Sequence, residues 1–434
     1  VEIFAARDPP HHTATSTISV LPEAARDYEA CTFRPRTEAM FTIFATLVLA
    51  ADPATLALDD LTRTVLDANP EAAAASATLE QARAQATAAA PWPDPMVDLS
   101  VAPLTLTGMP GWQVEVRQDL PLWGTRRAAR DMADADADAA SWRLEMMRLD
   151  LAEMAAMAWA DWYAVHREVD LTAATVAVLQ ETRATALSRV AVGRATDLDV
   201  LQVDAELGWL RTRARSLAAE RDVVAVRINT LLHRAANEPV GPPPVALTAP
   251  TPTTGGERPE LAESAAMTHA AEAEERMARA DRLPMLGVMT GWDAMQAMPE
   301  DRWMAGVSVQ VPLDQRSRAA KVEAASAGVT VARAEASRIE DRVAEQVATA
   351  ERRLRGDLEV LDALVSDVLP VARARVAAAR SGYAAGTVDL RQLLEAERSG
   401  LEAATRHEQQ LATVVLRARE LELARGILLP GAVP

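Results

Sequence analysis

Cysteine is all but missing from this 434-residue chain, which has only Cys31, near its beginning. No disulfide framework and no cysteine-based metal site can form in the body of the protein. Such a body suits any redox compartment, an oxidising cell envelope included. Aromatic residues make up 4% and glycine numbers 18, while alanine is abundant. That balance favours long helices packed through small side chains over a conventional mixed core. Basic residues are outnumbered, and the net charge is −17. A general nucleic-acid binder needs a basic face, so the charge argues against that class. It suits a path for cations or, more commonly, a solvated acidic surface. No apolar run reaches the roughly 18 residues of a membrane helix. The six histidines (His11, His12, His166, His233, His269 and His407) have no metal-ligand spacing. There is no nucleophile elbow, phosphate loop or paired-carboxylate site, so neither an enzyme nor a cofactor is expected. Carboxylates such as Glu153 and Asp161 read as solvated or lumen-facing helix charges.

What is present is repetition. Ser188-Arg-Val-Ala-Val-Gly-Arg-Ala-Thr-Asp-Leu-Asp-Val-Leu201 is answered by Ser381-Gly-Tyr-Ala-Ala-Gly-Thr-Val-Asp-Leu-Arg-Gln-Leu-Leu394. Leu120-Pro-Leu-Trp-Gly-Thr-Arg-Arg-Ala-Ala-Arg130 is answered by Val311-Pro-Leu-Asp-Gln-Arg-Ser-Arg-Ala-Ala-Lys321. Two segments recurring in the same order indicate internal duplication. Repeat one occupies 51–238 and repeat two 259–428, joined by a Pro/Thr/Gly-rich linker at 239–258 and followed by a tail, 429–434. Residues 1–50 have no counterpart in the repeat. Their short apolar stretch Met40–Ala50 resembles a signal peptide ending in a cleavage site, a buried N-terminal helix being the alternative.

Each repeat follows one plan. Helix is expected over Asp59–Ala90, interrupted at Asn69-Pro70, and Pro91-Trp-Pro-Asp-Pro95 then stops it. The period changes to two: Val97, Leu99 and Val101 alternate with Asp98 and Ser100. After a Gly/Pro turn at Gly108–Gly111, Trp112, Val114 and Val116 alternate with Gln113, Glu115 and Arg117. A very long helix is predicted from Thr125 to about Val192, roughly 100 Å at the helical rise. Met132, Ala135, Ala139, Trp142, Met146 and Leu149 mark its coiled-coil seam. Gly193 turns the chain into a returning helix with a seam from Val200 to Leu231. In the second half, helix over Pro259–Asp281 leads to strands Leu286–Trp292 and Trp303–Val311. In the latter strand Met304, Gly306, Ser308 and Gln310 face away from the apolar set. A long helix follows that Pro370 should kink, then the Gly386 turn and a last helix ending near Gly426.

Four strands cannot bury two faces, and an open sheet leaves its edges unpaired. Alternating faces suit a closed barrel with lipid outside and water inside, and eight strands is the usual minimum, so several chains must share it. Asp98, Ser100, Gln113, Glu115, Arg117, Ser308 and Gln310 are the expected lumen residues. Trp92, Trp112, Trp123, Trp292 and Trp303 stand at or beside strand ends, where an interfacial aromatic girdle would sit.

These features together resemble the TolC-type outer-membrane factor family, the exit channels of tripartite efflux and type I secretion systems. The resemblance covers about 55–428. It rests on the paired glycine turns, the paired strand-to-helix segments, Val368-Leu-Pro-Val-Ala-Arg373 ahead of Tyr383, and the duplication itself. It implies a mainly α fold with a small β part: long α-helical hairpins forming a periplasmic tunnel, and four strands per chain in a trimeric twelve-stranded barrel. It implies residence in the outer membrane, with most of the chain in the periplasm. The implied partners are two further copies, outer-membrane lipid, a periplasmic adaptor (membrane fusion protein) and an inner-membrane pump of the RND type. Gly193, Arg194, Gly386 and Thr387 map to the hairpin tips that meet the adaptor. Asp199 and Glu395 map to positions that constrict the channel, and Gln202 and Gln392 take the reciprocal, uncharged places. Three-fold symmetry would turn each carboxylate into a ring of three that favours cations. Thr196–Asp199 and Asp389–Gln392 also fit ordinary helix caps. The Pro-Asp-Pro and Pro-Leu-Trp-Gly segments are closest in style to heavy-metal efflux members. Met285, Met289, Met295, Met298 and Met304 would suit Cu(I), but space-filling is the commoner role of such residues, and no metal site is expected. A type I secretion duct, and a periplasmic adaptor or structural coiled-coil protein, remain the alternatives.

Overall fold

The computed structural model describes residues 55–102, 111–250, 253, 255–294 and 298–429. The leader segment with Cys31, His11 and His12, the residues Gly108–Pro110 of the first hairpin's turn, Met295 and residues 430–434 of the tail lie outside them. Chain contacts separate Val1–Ala50 from Ala51–Pro434, and all described residues belong to the latter unit.

The fold is mainly helical. Helices α1 (Leu58–Ala68) and α2 (Pro70–Ala88) are divided by Asn69. Pro70 fits the first turn of α2 because it has no N–H to lose there. The Asn69 Oδ1 accepts the Glu71 N–H at 2.9 Å, and its Nδ2 donates to the Leu231 carbonyl at 3.2 Å. Strands β1 (Met96–Ala102) and β2 (Gly111–Leu120) precede α3 (Thr125–Ala191), a single helix of 67 residues. The chain reverses into α4 (Asp197–Leu231). The second half gives α5 (Pro259–Ala280), β3 (Met285–Asp293), β4 (Trp303–Gln310), α6 (Gln315–Ala363), α7 (Leu369–Ala385) and α8 (Leu390–Ala424).

At Pro370, where a kink is expected, the helix changes its hydrogen-bond pattern. Leu364–Val368 is one π-helical turn between α6 and α7. A proline inside a helix lacks an N–H and crowds the carbonyl four residues back. A widened turn accommodates both defects while the helix continues.

The four strands form one antiparallel sheet in the order β1-β2-β3-β4. The central pairing, β2 with β3, joins the two repeats, with Val114 opposite Trp292 and Gln118 opposite Val288. Among the described residues β1 and β4 have no partner on their outer edges.

The main core lies where α3 is crossed by α1, the end of α4 and α8. It holds Leu61, Val65, Leu151, Trp159, Trp162, Tyr163, Ile228 and Val415. The Trp159 and Trp162 indole N–H groups donate to the carbonyls of Leu56 and Gly241 at 2.8 and 2.9 Å. Tyr163 donates to Glu408 Oε2 at 2.7 Å, and Arg167 Nε reaches the same oxygen at 3.3 Å. Burial would raise the Glu408 carboxyl, but those two donors outweigh it and hold it below its ordinary value.

The segment between the repeats is docked at its end. Arg258 donates to the Ala424 carbonyl at 2.6 Å and pairs with Glu260 at 2.6 Å. Arg425 donates to the Thr253 carbonyl at 3.0 Å and pairs with Glu351 at 2.7 Å.

Candidate functional site

Two regions at opposite ends of α3 carry the candidate residues. The first is the sheet. Cross-strand partners share a face, so the register sorts every side chain. Asp98 opposes Glu115 and Ser100 opposes Gln113. Arg117 opposes Met96 and Met289, and Gly287, the partner of Asp119, opposes Ser308. Gln310 opposes Met285. All seven residues expected in a lumen therefore share one face, and Arg117 is paired with Glu115 at 2.7 Å. The other face carries Val97, Leu99 and Val101 of β1 and Val307 and Val309 of β4, all strongly exposed in the single chain. Trp112, Trp292 and Trp303 lie at the hairpin-loop end of that face, with Trp292 and Trp303 edge to face at 5.2 Å. Trp92 and Trp123 lie at the helical end. Trp92 is covered by the Arg126 guanidinium at 4.4 Å, and Trp123 donates to the Pro284 carbonyl at 2.7 Å. Aromatic residues thus stand at both ends of the sheet.

The second region is the hairpin tips. Gly193 has φ +69 and Gly386 φ +80, the left-handed region where a side chain is strained. The Gly193 N–H donates to the Val190 carbonyl and the Arg194 N–H to that of Arg189. The Gly386 N–H donates to Tyr383 and that of Thr387 to Gly382, so both tips close in the same Schellman pattern. All four tip residues are exposed.

The gate candidates stand in the next turns. Asp199 is half-buried, and its Oδ2 accepts the Thr196 N–H at 2.8 Å and the Thr196 hydroxyl at 3.1 Å, completing a capping box. The Gln392 N–H donates to Asp389 Oδ1 at 2.8 Å. Glu395 is exposed and lies 4.0 Å from Arg375. Gln202 is half-buried beside the fully buried Val203. One apolar cluster of Leu179, Val203, Leu207, Tyr383, Leu390, Leu393 and Ala396 ties these helix starts together. The gate and tip residues thus share one end of the helices, and the lumen residues stand at the other.

Sequence patterns did not reveal the joints between the two hairpins. Arg189 donates to the carbonyls of Tyr383 and Ala384 and stacks on the Tyr383 ring at 4.2 Å. A cation there complements the last carbonyls of α7. Arg398 pairs with Glu206 at 2.5 Å, and Arg380 with the buried Glu397 at 2.5 Å. The only local cue to Arg189 is its position four residues before Gly193, one turn back on the helix. A cavity of about 510 Å³ lies among α3, α5, α6 and α8. Loss of water around Asp150 and Glu153 on its wall, and then neighbouring carboxylates, raise both carboxyl groups.

The sequence profile of the outer membrane efflux protein family matches residues 61–231 and 254–426. No curated protein matches the chain in sequence. Several solved structures share its fold. The outer-membrane channel OprN is 22% identical, with 85% of this chain and 89% of that one covered at a TM-score of 0.71. CusC, solved in work on its folding and transmembrane channel formation, is 16% identical over 92% of this chain and 99% of its own, with a TM-score of 0.72. The open state of the MtrE outer membrane channel of Neisseria gonorrhoeae is 18% identical over 87% and 91%, at 0.71.

Proposed function

This chain belongs to the outer membrane efflux protein family, and from that premise we propose that it is the passive exit duct of a tripartite efflux system. Its place is the outer membrane. Three copies would close the barrel, and heavy-metal cations are the proposed substrate. The observation that carries the duct is the sheet register, which puts seven polar residues on one face and an unbroken apolar surface on the outer edge strands. A lone four-stranded sheet with two free edges is unstable in lipid, because unpaired backbone groups find no water there. Pairing β1 of one copy with β4 of the next removes every edge.

The helices support the same closure. α4 exposes Leu198, Leu201, Trp209, Val223 and Val226, a second apolar face beside its buried seam. α7 exposes Val371, Ala374, Ala378, Ser381 and Ala385, a face of mostly small side chains. Large side chains on one free edge and small ones on the other suit heterologous, ring-closing contact. Trp209→Ala is expected to lower the temperature at which the trimer dissociates, read by native electrophoresis after heating. An unchanged midpoint would remove α4 from the contact.

At the tips, Gly193, Arg194, Gly386 and Thr387 would meet a periplasmic adaptor, and an inner-membrane pump of the RND type would supply the energy. Asp199 and Glu395, with Gln202 and Gln392, would form the constriction. Reconstitution in planar bilayers tests the duct directly: the purified protein should open cation-selective channels. Asp199→Ala combined with Glu395→Ala should raise single-channel conductance severalfold and move the reversal potential in a salt gradient toward zero. The capping role of Asp199 adds a cost of about 1 kcal/mol to the helix, so the melting midpoint is measured alongside. Unchanged selectivity would count against the acidic rings.

A further inference from the structure

The polar face of the sheet contains a patch that a simple polar lining does not explain. Met289 of β3 lies opposite Gly306 of β4, and Gly291 of β3 lies opposite Met304. The four positions form a square with methionines on one diagonal and glycines on the other. Gly291 is confined by backbone, whereas at Gly306 the obstacle is only the movable end of Met289. A Cβ on Gly306 would stand 2.8 Å from Met289 Cε, and one on Gly291 would stand 3.0 Å from the Val114 carbonyl oxygen. The glycines leave a floor over which two long side chains can move. Met289 and Met304 are 36% and 41% exposed, so neither fills a closed core.

Diagonal neighbours across an antiparallel pair have Cα atoms about 7–8 Å apart, within joint reach of two long side chains. A methionine has three rotatable bonds before its terminal methyl, so two sulfurs on such a diagonal can turn toward one ion. Thioether sulfur is a soft ligand that favours Cu(I)-like ions and leaves Na⁺, Mg²⁺ and Ca²⁺ to oxygen ligands. Charged groups of both signs stand alongside: Glu115, the cross-strand partner of Gly291, is paired with Arg117 at 2.7 Å, Arg117 is itself the partner of Met289, and Asp98 is the partner of Glu115. The Glu115–Arg117 pair is neutral as a unit and Asp98 adds one negative charge beyond it, so the choice of a soft ion falls to the sulfurs and not to the surrounding charge. The patch lies open on its face, so an ion held there would exchange quickly, as a conducting pathway requires.

We propose that Met289 and Met304 form a thioether contact for a soft monovalent cation, Cu(I) or Ag(I), on the inner wall of the channel. The assignment rests on the reading that this face lines the lumen, and it narrows the substrate class to soft metal ions.

Ag⁺ is the probe, because it needs no reductant, and nitrate salts keep it in solution. Equilibrium dialysis of the detergent-solubilised protein, with Cys31 replaced by serine so that no thiol competes, should show one Ag⁺ per chain, and Met289→Leu with Met304→Leu should remove it. In planar bilayers, micromolar Ag⁺ should reduce the Na⁺ current of the unaltered channel about twofold or more. The double variant should conduct Na⁺ as before and need at least tenfold more Ag⁺ for the same block. Ag⁺ binding that survives in the double variant, or no binding to either protein, overturns the proposal and leaves the methionines as filling over a glycine floor. Failure of the duct reading is visible separately, as a protein that passes no Na⁺ current in the absence of Ag⁺.

Discussion

Glu422→Ala is expected to destabilise the folded chain by about 3–5 kcal/mol, because it strands a buried guanidinium. Arg419 is 3% exposed and Glu422 6%. The Glu422 Oε2 accepts from Arg419 at 3.0 Å, and its Oε1 accepts the Thr253 N–H and hydroxyl at 3.1 Å each. Arg419 also donates to the Leu428 carbonyl. One carboxylate therefore neutralises a buried cation and holds the segment between the repeats. A neutral acceptor keeps part of this, so Glu422→Gln should cost less than Glu422→Ala. Replacing both partners, Arg419→Met with Glu422→Leu, should recover most of the loss, since no charge is left without a partner. Thermal unfolding followed by circular dichroism checks the series. A double variant as unstable as Glu422→Ala would show that packing, not the stranded charge, sets the cost.

The second large effect is expected at Gly256. Its φ is +120, and a Cβ there would stand 2.1 Å from the Arg425 carbonyl oxygen. Gly426 faces it from the other chain segment, with φ +80 and the Glu257 carbonyl oxygen 2.3 Å from its own Cβ position. Two backbones cross here with no room between them, and backbone cannot swing aside as a flexible side chain can. Strain of about 1–3 kcal/mol for the left-handed conformation adds to a similar overpacking cost, so Gly256→Ala should lose about 3 kcal/mol or more. Gly255→Ala is the internal control: φ is +107 there, but nothing lies within 4 Å of the Cβ position. It should show the conformational cost alone, about 1–3 kcal/mol. Equal losses at the two glycines would mean that the crossing is looser than its geometry implies.

Much of the fold was legible because it is written in local periods. The 3-4 spacing from Met132 to Leu149 and the alternation from Val97 to Val116 each report one element's own geometry. The glycine turns were legible for the same reason, since a left-handed residue ending a helix is a local requirement. The capping of α4 by Asp199 was legible too, from the spacing of Thr196 and Asp199. The seven polar strand residues could be sorted to one face within each strand, because side chains alternate strictly along it.

Other features had no such signature. Arg189 meets Tyr383 and Ala384 across 194 and 195 positions, and no period links them. The methionine–glycine square depends on the register of β3 against β4, which no composition of either strand specifies alone. A shift of one residue would put Met289 on the other face. The Pro/Thr/Gly-rich stretch before Pro259 has the composition of a spacer, yet its end is fastened by Arg258, Arg425 and the crossing glycines.

The sequence by itself determined what each segment is: the repeated plan, the long helices, the reversing turns, and strands with one polar and one apolar side. All of these follow from interactions between residues a few positions apart. Only the tertiary structure decided how the two copies are combined. β2 and β3 pair across the repeats to make one sheet, and a buried Arg419–Glu422 pair with Thr253 fixes the end of the linker. Arg189 joins the two tips. Those contacts depend on surfaces that meet only after the chain has closed on itself, so their energies are set by register and burial rather than by sequence spacing.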